Sequence, residues 1–167
     1  MNWLDIILFL ILGGVAAAEC QRGFGRAVPD ALCLYGALWI ANAAAPRLAA
    51  SLHFHSDPAA NGAWIYGMVL LVCAGMALGI ARFIHNVTQL DAGVFDRALG
   101  LAAGVAVGMM AAHGFVRVVA MGLSGEPGGA LLVANSFLGS EMLSFTSYHS
   151  LMDMLTGYPV LHRDLPT

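Results

Sequence analysis

An aspartate–arginine pair, Asp96-Arg97, stands directly before an apolar run in which Gly100, Gly104 and Gly108 recur every four residues. Adjacent charges are costly to hold in hydrocarbon, so the pair marks a membrane boundary. The four-residue repeat puts the glycines on one helix face, and Ala112 extends that face by a turn. A face without side chains lets a second helix approach backbone to backbone. The chain is therefore expected to be a multispan membrane protein whose function begins with helix packing. Nothing in this segment resembles enzyme chemistry.

Composition points the same way. Of the 167 residues, 59% are hydrophobic and 10% charged, and the mean hydropathy is +0.78. Soluble domains average about 25% charged residues. Too few charges are present to cover a water-soluble fold of this length. Net charge is -3, and all seven basic residues are arginines with no basic run among them. A nucleic-acid partner therefore lacks electrostatic support.

Four spans are expected, from about Trp3 to Ala18, Val28 to Ala45, Ala63 to Ile84 and Ala98 to Leu123. Each is near the roughly 20 residues needed to cross the hydrocarbon core. Ala16-Ala17-Ala18 resembles a signal-peptide cleavage site, but no basic segment precedes it, so the first span is read as retained. Asp5 suits the positive end of the first helix dipole. Pro29 fits the first turn of the second span, and Pro46 is expected to end that run.

Short links make an antiparallel bundle the expected fold of residues 1–125. Residues 130–157 read differently. Leu131, Leu138, Met142, Phe145, Met152 and Leu155 recur at helical spacing, and Glu141, His149 and Asp153 interrupt them. An amphipathic helix lying at the interface is expected, with a fifth span as the alternative. The fold class is thus all-α: four transmembrane helices plus a C-terminal amphipathic helix.

Two patches of small residues are candidate packing surfaces: Gly100, Gly104 and Gly108 on span four, and Gly75 and Gly79 on span three. Packing inside one bundle and oligomerisation both fit them. The polar boundary consists of Arg22, Gly23, Asp96 and Arg97. Arg22 and Asp96 fall on the same side of the membrane, so an ion pair clamping spans one and four is expected. That side also carries Arg26, Arg82 and Arg97, against Arg47, Arg117 and Arg163 opposite. The positive-inside rule then places the first and third links in the cytoplasm.

Enzyme chemistry finds no foothold. Cys20, Cys33 and Cys73 show no paired spacing, and no nucleophile motif, phosphate loop or dinucleotide fingerprint occurs. His113 lies within span four, where a hydrogen-bonded packing role is expected; a metal site with His53 and His55 would lack a fixed acid. Glu19 and Asp30 flank the Arg22 loop without the spacing of an acid/base pair. No catalytic, cofactor or metal residue is assigned.

Three short stretches carry a resemblance when taken in order. They are Asn2-Trp3-Leu4-Asp5-Ile6, Arg22-Gly23-Phe24 and Phe95-Asp96-Arg97-Ala98-Leu99-Gly100. Their order and spacing over residues 1–120 resemble the colicin V production protein (CvpA) family. That family has an aspartate opening its first span, an Arg-Gly loop before its second and an Asp-Arg stretch opening its Gly-rich fourth. In the second span, Leu32-Cys33-Leu34-Tyr35-Gly36 keeps only the glycine of the family pattern. The resemblance implies a non-enzymatic bacterial inner-membrane accessory protein for peptide-toxin production or secretion and envelope homeostasis. Its expected partners are the lipid bilayer and either a second copy or other membrane proteins. A small oligomeric channel or transporter-like protein, or a packing subunit of a larger membrane complex, is the alternative.

Overall fold

The computed structural model describes residues 2–88, 93–125 and 128–144, and within them the chain is all-helical. Four long helices follow one another: α1 (Trp3–Arg22), α2 (Phe24–Ser51), α3 (Pro58–Thr88) and α4 (Asp96–Gly122). A single 3-10 turn, Gly93–Phe95, leads into α4. Two short helices close the described chain: α5 (Gly129–Ala134) and α6 (Phe137–Ser144). All four long helices are long and apolar enough to cross a membrane. The protein is a multi-pass membrane protein.

The long helices alternate in direction. One end of the bundle, the near end, holds Asn2, the 52–57 link and the α4–α5 connection. The far end holds Gly23 and the start of α4. α1 lies chiefly against α4, and α2 against α3, with α4 also touching α2. Large apolar side chains such as Trp39, Leu71 and Phe83 point outward. In lipid this is ordinary, because acyl chains are as apolar as the side chains they meet.

α2 departs from the sequence expectation at both ends. It begins at Phe24, runs through Pro29 and Pro46, and stops at Ser51. Proline removes one backbone donor and frees the carbonyl four residues earlier. For Pro29 that carbonyl belongs to Gly25, and it accepts from His85 Nδ1 of α3 at 3.1 Å. A neighbouring helix thus satisfies the freed group, which is how spans tolerate proline. Past Pro46 the ladder resumes, and Leu52 N–H closes on Leu48 O at 2.8 Å.

The C-terminal segment is not one continuous helix over its described part. Ser136 breaks it by capping α6: its Oγ accepts from Gly139 N–H at 2.9 Å. Leu138 and Met142 of α6 then bury against Leu4 and Leu8 of α1 and Ala112 and Val116 of α4. Phe145, His149, Met152, Asp153 and Leu155 lie outside the described residues.

Candidate functional site

At the far end, α1 and α2 are separated by Gly23 alone. Its φ of 85° lies in the left-handed region that side chains avoid. A Cβ there would also collide with the Asp96 carboxylate. Asp96 opens α4, and its Oδ1 accepts from Phe24 N–H at 3.0 Å. One carboxylate therefore serves the positive ends of two helices, in the first turn of α4 and as acceptor at the start of α2. Gly23 also caps α1, its N–H donating to Glu19 O at 2.9 Å.

Arg22 does not form the expected ion pair with Asp96. Its Nη1 lies 2.7 Å from Glu19 Oε1 and 4.0 Å from Asp30 Oδ2. The reason is helical register. Glu19 stands one turn before Arg22 on the same face, whereas Asp96 is committed to the α2 terminus. Glu19 and Asp30 are 3% and 7% exposed, so both carboxylates are withdrawn from water. Arg97 is exposed at the start of α4.

Gly100, Gly104 and Gly108 are buried against successive turns of α1. A Cβ on Gly100 would stand 2.9 Å from Glu19 O, on Gly104 3.1 Å from Ala16 Cα, and on Gly108 2.9 Å from Leu12 O. Backbone approaches backbone over the stretch from Gly100 to Gly108. Gly75 and Gly79 have no neighbour within 4 Å of a Cβ position. The same spacing is used inside the chain on α4 and left open on α3.

The near end carries a second polar junction, centred on Asp5, which is fully buried. Asn2 Oδ1 accepts from Leu4 and Asp5 N–H at 3.1 and 3.2 Å, and Asp5 Oδ2 accepts from Asn2 N–H at 2.9 Å. That is a capping box closing the start of α1. The other oxygen, Oδ1, accepts from Ser136 Oγ at 2.7 Å and Leu138 N–H at 3.0 Å. Asn2 Nδ2 donates to Leu132 O at 2.7 Å. Asp5 and Asn2 therefore fasten α5 and α6 to the start of the chain.

His113 meets the Met142 carbonyl of α6 through Nδ1 at 2.7 Å. A carbonyl only accepts, so Nδ1 carries the proton. His55 Nδ1 accepts from Asp57 N–H at 3.2 Å in the 52–57 link. Among the described residues no group of three or more His, Cys, Asp or Glu could hold a metal ion.

A cleft of about 620 Å³ opens between α3 and α4 over α2, lined by residues such as Leu38, Gly67, Leu70, Gly114 and Val118. It carries no ionisable side chain and suits hydrocarbon, in contrast to the polar junctions at the two ends of the bundle.

Residues 4–155 match the family model described as Colicin V production protein. The chain belongs to the colicin V production protein family. No curated protein and no solved structure matches it. In this family member the Arg22-Gly23 and Asp96-Arg97 stretches meet at one junction, through the Gly23–Asp96 contact rather than through an ion pair. Sequence reasoning passed over Asp5, Glu19 and Asp30 as site residues. The Asn2-x-x-Asp5 capping box was a local signal for Asp5. Glu19 and Asp30 carried only the signal of acids set inside helices that span.

Proposed function

We propose that this protein is a non-enzymatic accessory protein of the bacterial inner membrane. It acts in peptide-toxin production or secretion and in envelope homeostasis, through helix packing and oligomerisation. Membership of the colicin V production family, over residues 4–155, is the observation that carries this reading. The geometry supports the packing part. The α4 ridge is occupied by α1, while the Gly75–Gly79 face of α3 is open. α3 is also the least enclosed span, with 17% of its apolar window buried against 28–39% for the other three. A second copy or another membrane protein is the partner that face would take.

The test pairs a phenotype with an assembly measurement. A strain lacking the gene should lose toxin release and regain it with the wild-type chain. Gly79→Cys in a cysteine-free background should give disulfide-linked dimers in the membrane. Normal toxin release without the gene would remove the accessory role, and absence of cross-links at Gly79 would remove oligomerisation through α3. A channel or transporter-like role is the second reading, favoured by Glu19 and Asp30 buried inside spans. Ion flux through the purified protein in liposomes would select it. A large stable native complex would instead select the packing-subunit role.

A further inference from the structure

Arginines from three helices converge at the far end. Arg22 ends α1, Arg26 lies in the first turn of α2, and Arg82 stands near the end of α3. The joint that gathers them is the 3.1 Å hydrogen bond between His85 Nδ1 and Gly25 O, which pins the end of α3 to the start of α2. Arg26 follows Gly25 directly, and Arg82 precedes His85 by about one helical turn. All three guanidinium groups, and His85, act electrostatically on Asp30, which is buried one turn beyond Arg26 on α2.

The acids do not use up these cations. Glu19 holds Arg22 at 2.7 Å, and Asp30 comes within 4.0 Å of that same guanidinium. Asp96 is turned to the Phe24 N–H. Among the described residues, neither Arg26 nor Arg82 has a carboxylate within 4.0 Å. Asp30 is withdrawn from the surface, whereas Arg82 is exposed and Arg26 half-buried. Arg97 is exposed at the same end. The accessible side of the cluster is therefore positive.

Its depth decides which anions it meets. α3 continues past Arg82 with Phe83 and Val87, which are 69% and 67% exposed. Apolar side chains on both sides of Arg82 keep its stem at the edge of the hydrocarbon, with the charged head reaching outward. Lipid phosphates lie at that edge. A guanidinium presents a planar fork of donors that matches phosphate oxygens, and an anion shared by two guanidinium groups also relieves their mutual repulsion.

We propose that Arg26 and Arg82 form a binding site for the phosphate of an anionic bilayer phospholipid, in the leaflet at the far end. Asp30 lies beneath and draws the two side chains together, while Arg22 stays with Glu19. No bond is made or broken and no proton moves. The arginine bias that assigns the far end to the cytoplasm also assigns this site to the leaflet with the negative surface. The site adds a lipid ligand to the packing role and does not rest on it.

Native mass spectrometry of the full chain in a neutral detergent tests the proposal, with phosphatidylglycerol, phosphatidylcholine and inorganic phosphate as probes. Phosphatidylglycerol should bind as a single adduct, at least about tenfold more tightly than phosphatidylcholine. Arg26→Gln and Arg82→Gln should each remove most of that preference and leave phosphatidylcholine unchanged. Arg47→Gln, which deletes an exposed charge at the near end, should alter neither lipid. Helical circular dichroism checks that each variant is folded, and the exposed Arg82 keeps the test available if Arg26→Gln unfolds. Equal binding of the two lipids overturns the proposal. So does a preference that Arg82→Gln leaves intact in the folded protein, or that Arg47→Gln reduces as much. Displacement of the lipid by an equal concentration of inorganic phosphate would make this a site for a free anion and overturn the lipid assignment.

Discussion

Gly104→Ala adds one methyl group at the tightest point of the α1–α4 contact. The new Cβ would stand 2.7 Å from Glu19 Cβ and 3.1 Å from both Ala16 Cα and Ala16 O. Carbon atoms rest at about 3.5–4.0 Å, so the helices must part by roughly 0.8 Å or more. Overpacking of this kind costs about 1–3 kcal/mol. Alanine returns about 0.5–1 kcal/mol through its better helix propensity. The net loss is then about 1.25 kcal/mol at mid-range, within limits of about 0–2.5 kcal/mol, or a factor of roughly 8 in the folded-to-unfolded ratio. Gly79→Ala provides the opposite sign within the same protein. No atom lies within 4 Å of its Cβ position, so in the monomer only the propensity gain remains. Equilibrium unfolding in mixed detergent micelles, followed by helical circular dichroism, measures both variants against wild type. If Gly104→Ala stabilises the protein as much as Gly79→Ala does, the close backbone contact does not exist in solution.

Asp5→Ala should loosen α6 specifically, because it strands the Ser136 hydroxyl and the Leu138 N–H, each worth about 1–3 kcal/mol when left buried and unpaired. Hydrogen exchange over residues 137–144 should accelerate while that of α2 and α3 is unchanged; uniform protection would exclude the latch. Arg22 and Glu19 should show coupling in a double-mutant cycle, whereas Arg22 and Asp96 should be additive, since Asp96 binds the α2 terminus. Strong Arg22–Asp96 coupling would contradict the observed partners. Single cysteines at the exposed positions Gln21 and Ser56, in a cysteine-free background, should react from the cytoplasmic and outer faces respectively. Labelling of Gln21→Cys from outside would reverse the orientation.

The number and placement of the spans were legible in the chain, because span length and mean hydropathy are properties of one segment facing lipid. So was the start of α4: a charged pair against an apolar run marks a boundary whatever the rest of the bundle does. The turn at Gly23 was legible as a loop, though not its narrowness. Pro46 misled, because a helix inside a bundle can lose one backbone bond and continue. The sequence could show that the glycines of α4 and those of α3 each share a face.

Only the tertiary structure decided which face is used. Gly104 meets Ala16 while Gly79 meets nothing, at the same spacing, because an interface needs a complementary helix at the right distance. It also decided the partners of the acids. Asp5 reaches Ser136 and Leu138, 131 and 133 residues further along the chain, and Asp96 turns to Phe24 rather than to Arg22. Periodicity is set within a single helix, whereas the donor that answers a buried carboxylate depends on how several helices are brought together.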